Sequence, residues 1–142
     1  MHALRTLYRI GAAILFVALL VQIGAAGYGA FYAAHKLEHK TSKPLSYHGF
    51  DHGFSFHKGL GYGVFLIAVI VLALALASRL GKRRALTALA AGVLVALTII
   101  LAWAGESAPA AGIFHPLFAL GVFATTGLMA HHAWRGGRAW TP

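Results

Sequence analysis

Two stretches decide how this chain folds: Phe56–Arg79, FHKGLGYGVFLIAVIVLALALASR, and Phe114–Arg135, FHPLFALGVFATTGLMAHHAWR. Each opens on Phe-His, continues as an apolar run and ends at an arginine. His57 and His115 therefore head two segments close to the roughly 20 residues that cross about 30 Å of hydrocarbon as an α-helix. Helices of this kind run the same way when an odd number of helices separates them, and one further apolar run, Leu86–Trp103, lies between. A fourth, Ile10–Tyr32, precedes both.

Composition agrees with a membrane class. Of 142 residues, 59% are hydrophobic and 3 are acidic, and the mean hydropathy is +0.73, too apolar for a soluble domain of this size. The reading is an all-α membrane protein, one domain over residues 1–142, folded as an antiparallel bundle of four transmembrane helices. Their expected bounds are about 8–34, 57–79, 85–104 and 113–134. Residues 35–56 form the long connection. The other two are short: Gly81 to Arg84, and Gly105 to Gly112 with Glu106, Ser107 and Pro109 as breakers. Arg5 and Arg9 ahead of an apolar run imitate a signal peptide, but the run exceeds a signal h-region and is read as a retained helix.

Charge sets the orientation. With both termini inside, Arg5, Arg9, Arg79, Lys82, Arg83, Arg84, Arg135 and Arg138 are cytoplasmic, against Lys36, Lys40, Lys43 and Lys58 outside. That excess favours N-in/C-in in a bacterial cytoplasmic membrane, with the His-rich loop on the outer side. The +9 formal charge is then topogenic. Basic residues that flank spans and form no patch with exposed aromatics exclude nucleic acid as a partner. The lack of Cys excludes disulfides, thiolate zinc, iron–sulfur clusters and covalent c-type haem.

His57 and His115 stand about 30 Å from the inner arginines, at about 1.5 Å per residue. An ionisable side chain inside a span is costly to leave unpaired, and two imidazoles at one depth invite a shared ligand. Haem b between two neutral imidazoles is the leading expectation. Gly61 after His57 and Gly27 on the first helix leave room for a macrocycle. Gln22 is the strongly polar residue deep in helix one and offers a hydrogen bond to an imidazole or cofactor. Lys58, with Lys36 or Lys40, offers a cation to outward propionates. His35 with His39, and His48 with His52 beside Asp51, repeat a four-residue spacing that suits a copper or zinc site on one helical face. Gly49 and Gly53 argue against a regular helix around the second pair.

Gln22, Gly24, Gly27 and Phe31 on helix one, His57-x3-Gly61 opening helix two, and Phe114-His115 opening helix four resemble a family of small bacterial four-helix membrane proteins known only as a domain of unknown function. The resemblance implies the four-helix fold and carries over the two histidines, without an activity. The placing of these histidines is also similar to transmembrane b-type cytochromes and haem A synthase, although a convincing inner His pair is lacking. Three functions stay open. The first is a haem b protein for electron transfer, haem handling or redox sensing. The second is a cofactor-free accessory subunit of a larger membrane complex or homo-oligomer, and the third a periplasmic copper or zinc binder using the loop histidines. No nucleophile with a base, acid pair or phosphate loop supports catalysis.

Overall fold

The computed structural model describes residues 2–39 and 45–135. Its elements are α1 (His2–Glu38), α2 (Tyr47–Ala77), α3 (Lys82–Ser107), the single turn α4 (Pro109–Gly112) and α5 (Phe114–Arg135). Four helices are long and apolar enough to cross a membrane, the last taken as Pro109–Arg135. The described residues contain no strand.

α1 packs most extensively on α2, and α3 on α5; α2 also meets α3 and α1 meets α5. The result is a closed ring of four with α1 opposite α3 and α2 opposite α5. Neighbours run antiparallel. Gly11, early in α1, faces Val71 late in α2, whereas Gly29 late in α1 faces Phe54 early in α2. The core is built from residues three and four apart: Tyr8, Ala12, Leu15 and Leu19 on α1, and Val64, Ala68, Val71 and Ala75 on α2. This is the narrow seam of antiparallel bundles. The outward faces carry Ile14, Val17, Leu66, Ile70, Ile100, Leu120 and Leu128, all exposed. Helices apolar both inside and out suit hydrocarbon surroundings.

The helices run further than the sequence suggests. α1 continues to Glu38 and α2 begins at Tyr47, so most of the expected long loop, residues 35–56, is helical. Lys40 and Lys43, assigned to that loop, lie outside the described residues, as does Arg138 at the C-terminal end. Gly49 and Gly53 do not break α2. Ser46 caps its first turn, its hydroxyl accepting from Gly49 N–H at 3.1 Å, which supplies one of the orphan donors of a helix start. Gly53 is a crossing point: a Cβ there would lie 2.6 Å from Tyr32 Cδ1 and 3.4 Å from Gly29 O. Glycine lets the two backbones touch, and packing outweighs its poor helix propensity.

The turn at residues 78–81 is tight, with Arg79 at φ 49° and Gly81 at φ 90°, left-handed backbone that ends α2 and readmits α3. At the other end α3 stops before Pro109, and Ala108 is extended (φ −134°, ψ 91°), as a residue before proline prefers. A Cβ on Gly105 would meet Gly112 Cα at 3.0 Å, so this connection also closes backbone on backbone.

Glycine roles differ along α1, which gives a paired test. A Cβ on Gly29 would sit 2.7 Å from the Phe54 ring, whereas one on Gly24 meets nothing within 4 Å. Gly29→Ala is expected to destabilise the folded protein by about 1–3 kcal/mol through overpacking. Gly24→Ala should be neutral or up to about 1 kcal/mol more stable. Melting midpoints in one detergent decide this; a Gly29→Ala protein as stable as wild type contradicts the crossing geometry.

Candidate functional site

α2 and α5 are diagonal, so a side chain reaching inward from each meets its counterpart on the bundle axis. His57 and His115 do so: their ring centroids are 6.2 Å apart and their planes inclined at 70°. Both are half-buried, and the expectation that they share one depth is met.

Each imidazole is oriented by the helix before it. His57 Nδ1 lies 3.1 Å from Gln22 O on α1, and His115 Nδ1 lies 2.8 Å from Thr98 O on α3. A carbonyl oxygen only accepts, so Nδ1 carries the proton and donates in both rings. In the neutral imidazole that leaves Nε2 as the lone-pair nitrogen, the tautomer required of a metal ligand or hydrogen-bond acceptor. The two helix pairs thus repeat one device, in which a histidine of the second helix ties back to a carbonyl of the first.

Gln22 plays a different part from the one its side chain suggested. Its backbone oxygen holds the imidazole, while its side-chain Nε2 donates to His57 O at 2.9 Å. Main chain and side chain together clasp His57 from α1. Gly61 permits this, because a Cβ there would stand 3.3 Å from Gln22 Nε2. Gln22 Oε1 is buried without a hydrogen-bond partner.

A cavity of about 120 Å³ adjoins the pair, walled by Leu19, Val64, Val95, Ile99 and Val122, with Gln22, Gly61 and both histidines among its lining. Its exposed lining residues, Lys58, Tyr62, Trp103 and Glu106, all lie on α2 and α3, so the mouth is between those helices. Gly27 does not line it. Five positions beyond Gln22 is about 140° around the helix at 3.6 residues per turn, which turns Gly27 away.

Lys58 is already engaged. Its Nζ bridges Asp51 at 2.5 Å and Glu106 at 2.8 Å, joining α2 to the end of α3 at the mouth. Lys58, expected to offer a cation to a propionate, is held by two carboxylates in the ligand-free protein. Glu106, read from sequence as a loop acid, is the partner that was missed. Lys36 lies over the Tyr32 ring, 5.7 Å from its centre.

His35, His39, His48 and His52 lie where α1 ends and α2 begins. His35 and His39 share a face as their spacing implied, rings 4.1 Å apart, with His39 Nδ1 donating to His35 O at 3.1 Å. His52 packs edge-on against Tyr32, and His48 is exposed. Among the described residues no group of three or more His, Cys, Asp or Glu side chains converges as a metal held by protein ligands alone would require. His131 and His132 are exposed at the far end of α5, with rings 5.7 Å apart.

Histidine-selective ¹⁵N NMR of the ligand-free protein should show two imidazoles held as the Nδ1–H tautomer, and Gln22→Ala, which removes the side-chain bond to His57 O but keeps the carbonyl that accepts from His57 Nδ1, should leave both in that form. Two Nε2–H signals in the wild type would overturn the tethering. No family profile, curated protein or solved structure matches the chain.

Proposed function

We propose that the chain is a multi-pass protein of the bacterial cytoplasmic membrane that binds haem b between His57 and His115. In this reading it is N-in/C-in, and its role is electron transfer, haem handling or redox sensing. The observation that carries the reading is the imidazole pair. Two rings sharing one metal, at about 2 Å per metal–nitrogen bond, have centres roughly 6.4 Å apart, close to the 6.2 Å found here. Each ring also presents Nε2 as its lone-pair nitrogen, with Nδ1 tied to a carbonyl, as imidazole ligands are normally supported.

The architecture offers a plane for a macrocycle. One histidine comes from the α1/α2 pair and the other from the α3/α5 pair, so a flat ring between them lies in the seam separating the pairs. Phe16 and Phe123, ring centres 5.2 Å apart, occupy the α1–α5 side, and the α2–α3 side is open. The cavity, about 120 Å³ and open between α2 and α3, is below the roughly 150 Å³ that accommodates a single six-membered ring. A haem held by His57 and His115 would therefore need room beyond this cavity, on the side of Tyr62 and Trp103. When bound, haem supplies one-electron chemistry. His57 and His115 hold it, Gln22 orients His57, and the apolar wall excludes water and favours the less charged redox state.

Orientation rests on the basic residues at one end of the bundle, and the bilayer is the first partner. The exposed apolar faces also fit other membrane subunits or a homo-oligomer. A cysteine at exposed Tyr47 should react with an impermeant maleimide added outside intact cells, and one at Lys82 should not; the opposite pattern reverses the bundle.

Protein expressed with adequate haem supply should show a Soret band and reducible α and β bands of low-spin bis-imidazole iron. His57→Ala or His115→Ala should each remove most of that haem, because one imidazole leaves an open axial position. His48→Ala with His52→Ala should retain it. A colourless, metal-free preparation favours the cofactor-free subunit, and copper or zinc lost with the His48/His52 change favours the outer metal binder; either result displaces the haem reading.

A further inference from the structure

The last turns of α1 carry two histidines that the site at His57 and His115 does not use. His35 and His39 are four residues apart, which sets them one above the other on a helix face, and both are exposed. Their ring centres are 4.1 Å apart and their planes inclined at 39°. His39 Nδ1 donates to His35 O at 3.1 Å, so in the neutral ring Nε2 keeps its lone pair. His48 and His52 repeat the spacing on α2, but His52 stands edge-on to Tyr32 of α1, ring centres 6.0 Å apart. His131 and His132 are consecutive and therefore about 100° apart around α5, with rings 5.7 Å apart.

We propose that His35 and His39 chelate a divalent copper ion. An imidazole nitrogen bound at about 2 Å places its ring centre roughly 3.2 Å from the metal. Adjacent positions of a square-planar ion then set two ring centres about 4.5 Å apart, and tetrahedral positions about 5.2 Å. The 4.1 Å found here is nearer the first value. The pair thus suits the square-planar preference of copper(II) better than the tetrahedral preference of zinc, and nitrogen-donor sites hold copper(II) more strongly than the other divalent ions of its series. Two features of α1 add to the attraction. The pair sits at the helix C-terminus, the negative end of the dipole, which favours a cation. Lys36, the neighbouring positive charge, is drawn aside over the Tyr32 ring. Among the described residues no third His, Cys, Asp or Glu side chain completes a group with the pair, so two protein nitrogens hold the ion and water fills its other positions.

This site stands apart from the haem reading. His35 is thirteen residues beyond Gln22 on α1, about 20 Å along the helix, and in the orientation proposed above it faces the outside. Its readout is the copper signal alone.

The full-length protein, purified in detergent without a histidine tag and stripped with EDTA, is titrated with copper(II) near neutral pH in a non-coordinating buffer. All variants carry His2→Ala, which removes a competing exposed imidazole. Affinity is read by competition with a chromophoric chelator, and the ligands by electron paramagnetic resonance. One copper(II) per chain with hyperfine structure from two imidazole nitrogens is expected, held about tenfold or more tightly than zinc(II). His35→Ala and His39→Ala should each weaken binding by about tenfold or more. Both side chains are exposed, so these changes leave the core untouched. His35→Ala with Ala34→His keeps the number of imidazoles but sets them five residues apart, about 140° around the helix, and should weaken binding as much as His35→Ala. His48→Ala with His52→Ala, and His131→Ala with His132→Ala, should each stay within about twofold of the parent. Binding that survives the shift from position 35 to 34 overturns the chelate. Copper lost with His57→Ala or with the His48/His52 change, and not with His39→Ala, moves the ion elsewhere and overturns it too. Zinc(II) held as tightly as copper(II) overturns the square-planar assignment.

Discussion

A neutral imidazole carries an N–H that an apolar interior cannot satisfy, and much of this structure follows from where that proton goes. A buried donor without a partner forfeits a hydrogen bond it had in water. His57 and His115 avoid that loss by donating from Nδ1 to Gln22 O and Thr98 O. Helix carbonyls keep a second lone pair after their own helical bond, so the acceptor is available without breaking α1 or α3. The tether fixes the ring, the ring fixes the lone pair, and both lone pairs belong to residues that meet on the bundle axis.

That arrangement demands close helices. α1 and α2 approach until Gly29 and Gly53 are in contact with Phe54 and Tyr32, and Gly61 lets the Gln22 amide reach the backbone of α2. Where α2 faces α3, by contrast, the side chains at the mouth are the large Tyr62 and Trp103, and the Lys58 bridge to Asp51 and Glu106 does the joining. One seam is held by small residues and backbone polarity, the other by exposed ion pairs that water and salt weaken. The tighter seam presents the histidine and the looser one gives access to it.

The bundle is electrostatically polar along its length. Its acids lie at the histidine end, while arginines crowd the other; among the described residues Arg79, Arg83 and Arg135 are exposed and Arg5, Arg9 and Arg84 are half-buried. Charge at the rim of a span contributes to orientation, whereas Arg5, Arg9 and Arg84 are drawn inward beside buried Tyr8.

The sequence by itself determined the helical class, the four apolar spans and the pairing in depth of His57 and His115, because each depends on local quantities: length, hydropathy and rise per residue. It also placed His35 and His39 on one face, since four residues is one turn. It misjudged residues 35–56 because Gly49 and Gly53 have low helix propensity, and propensity yields to packing against Gly29 and Tyr32. Gly27 was placed at the site because glycines looked like room for a ligand, although the angle around α1 turns it away. Tertiary structure alone decided that α2 and α5 are diagonal, that Gln22 works through its carbonyl as well as its amide, that Lys58 is held by Glu106, 48 positions away, and that Arg84 joins Arg5 and Arg9. These are contacts between distant segments, and the acceptor on Thr98 is a backbone atom common to every residue, so no side-chain pattern marks it.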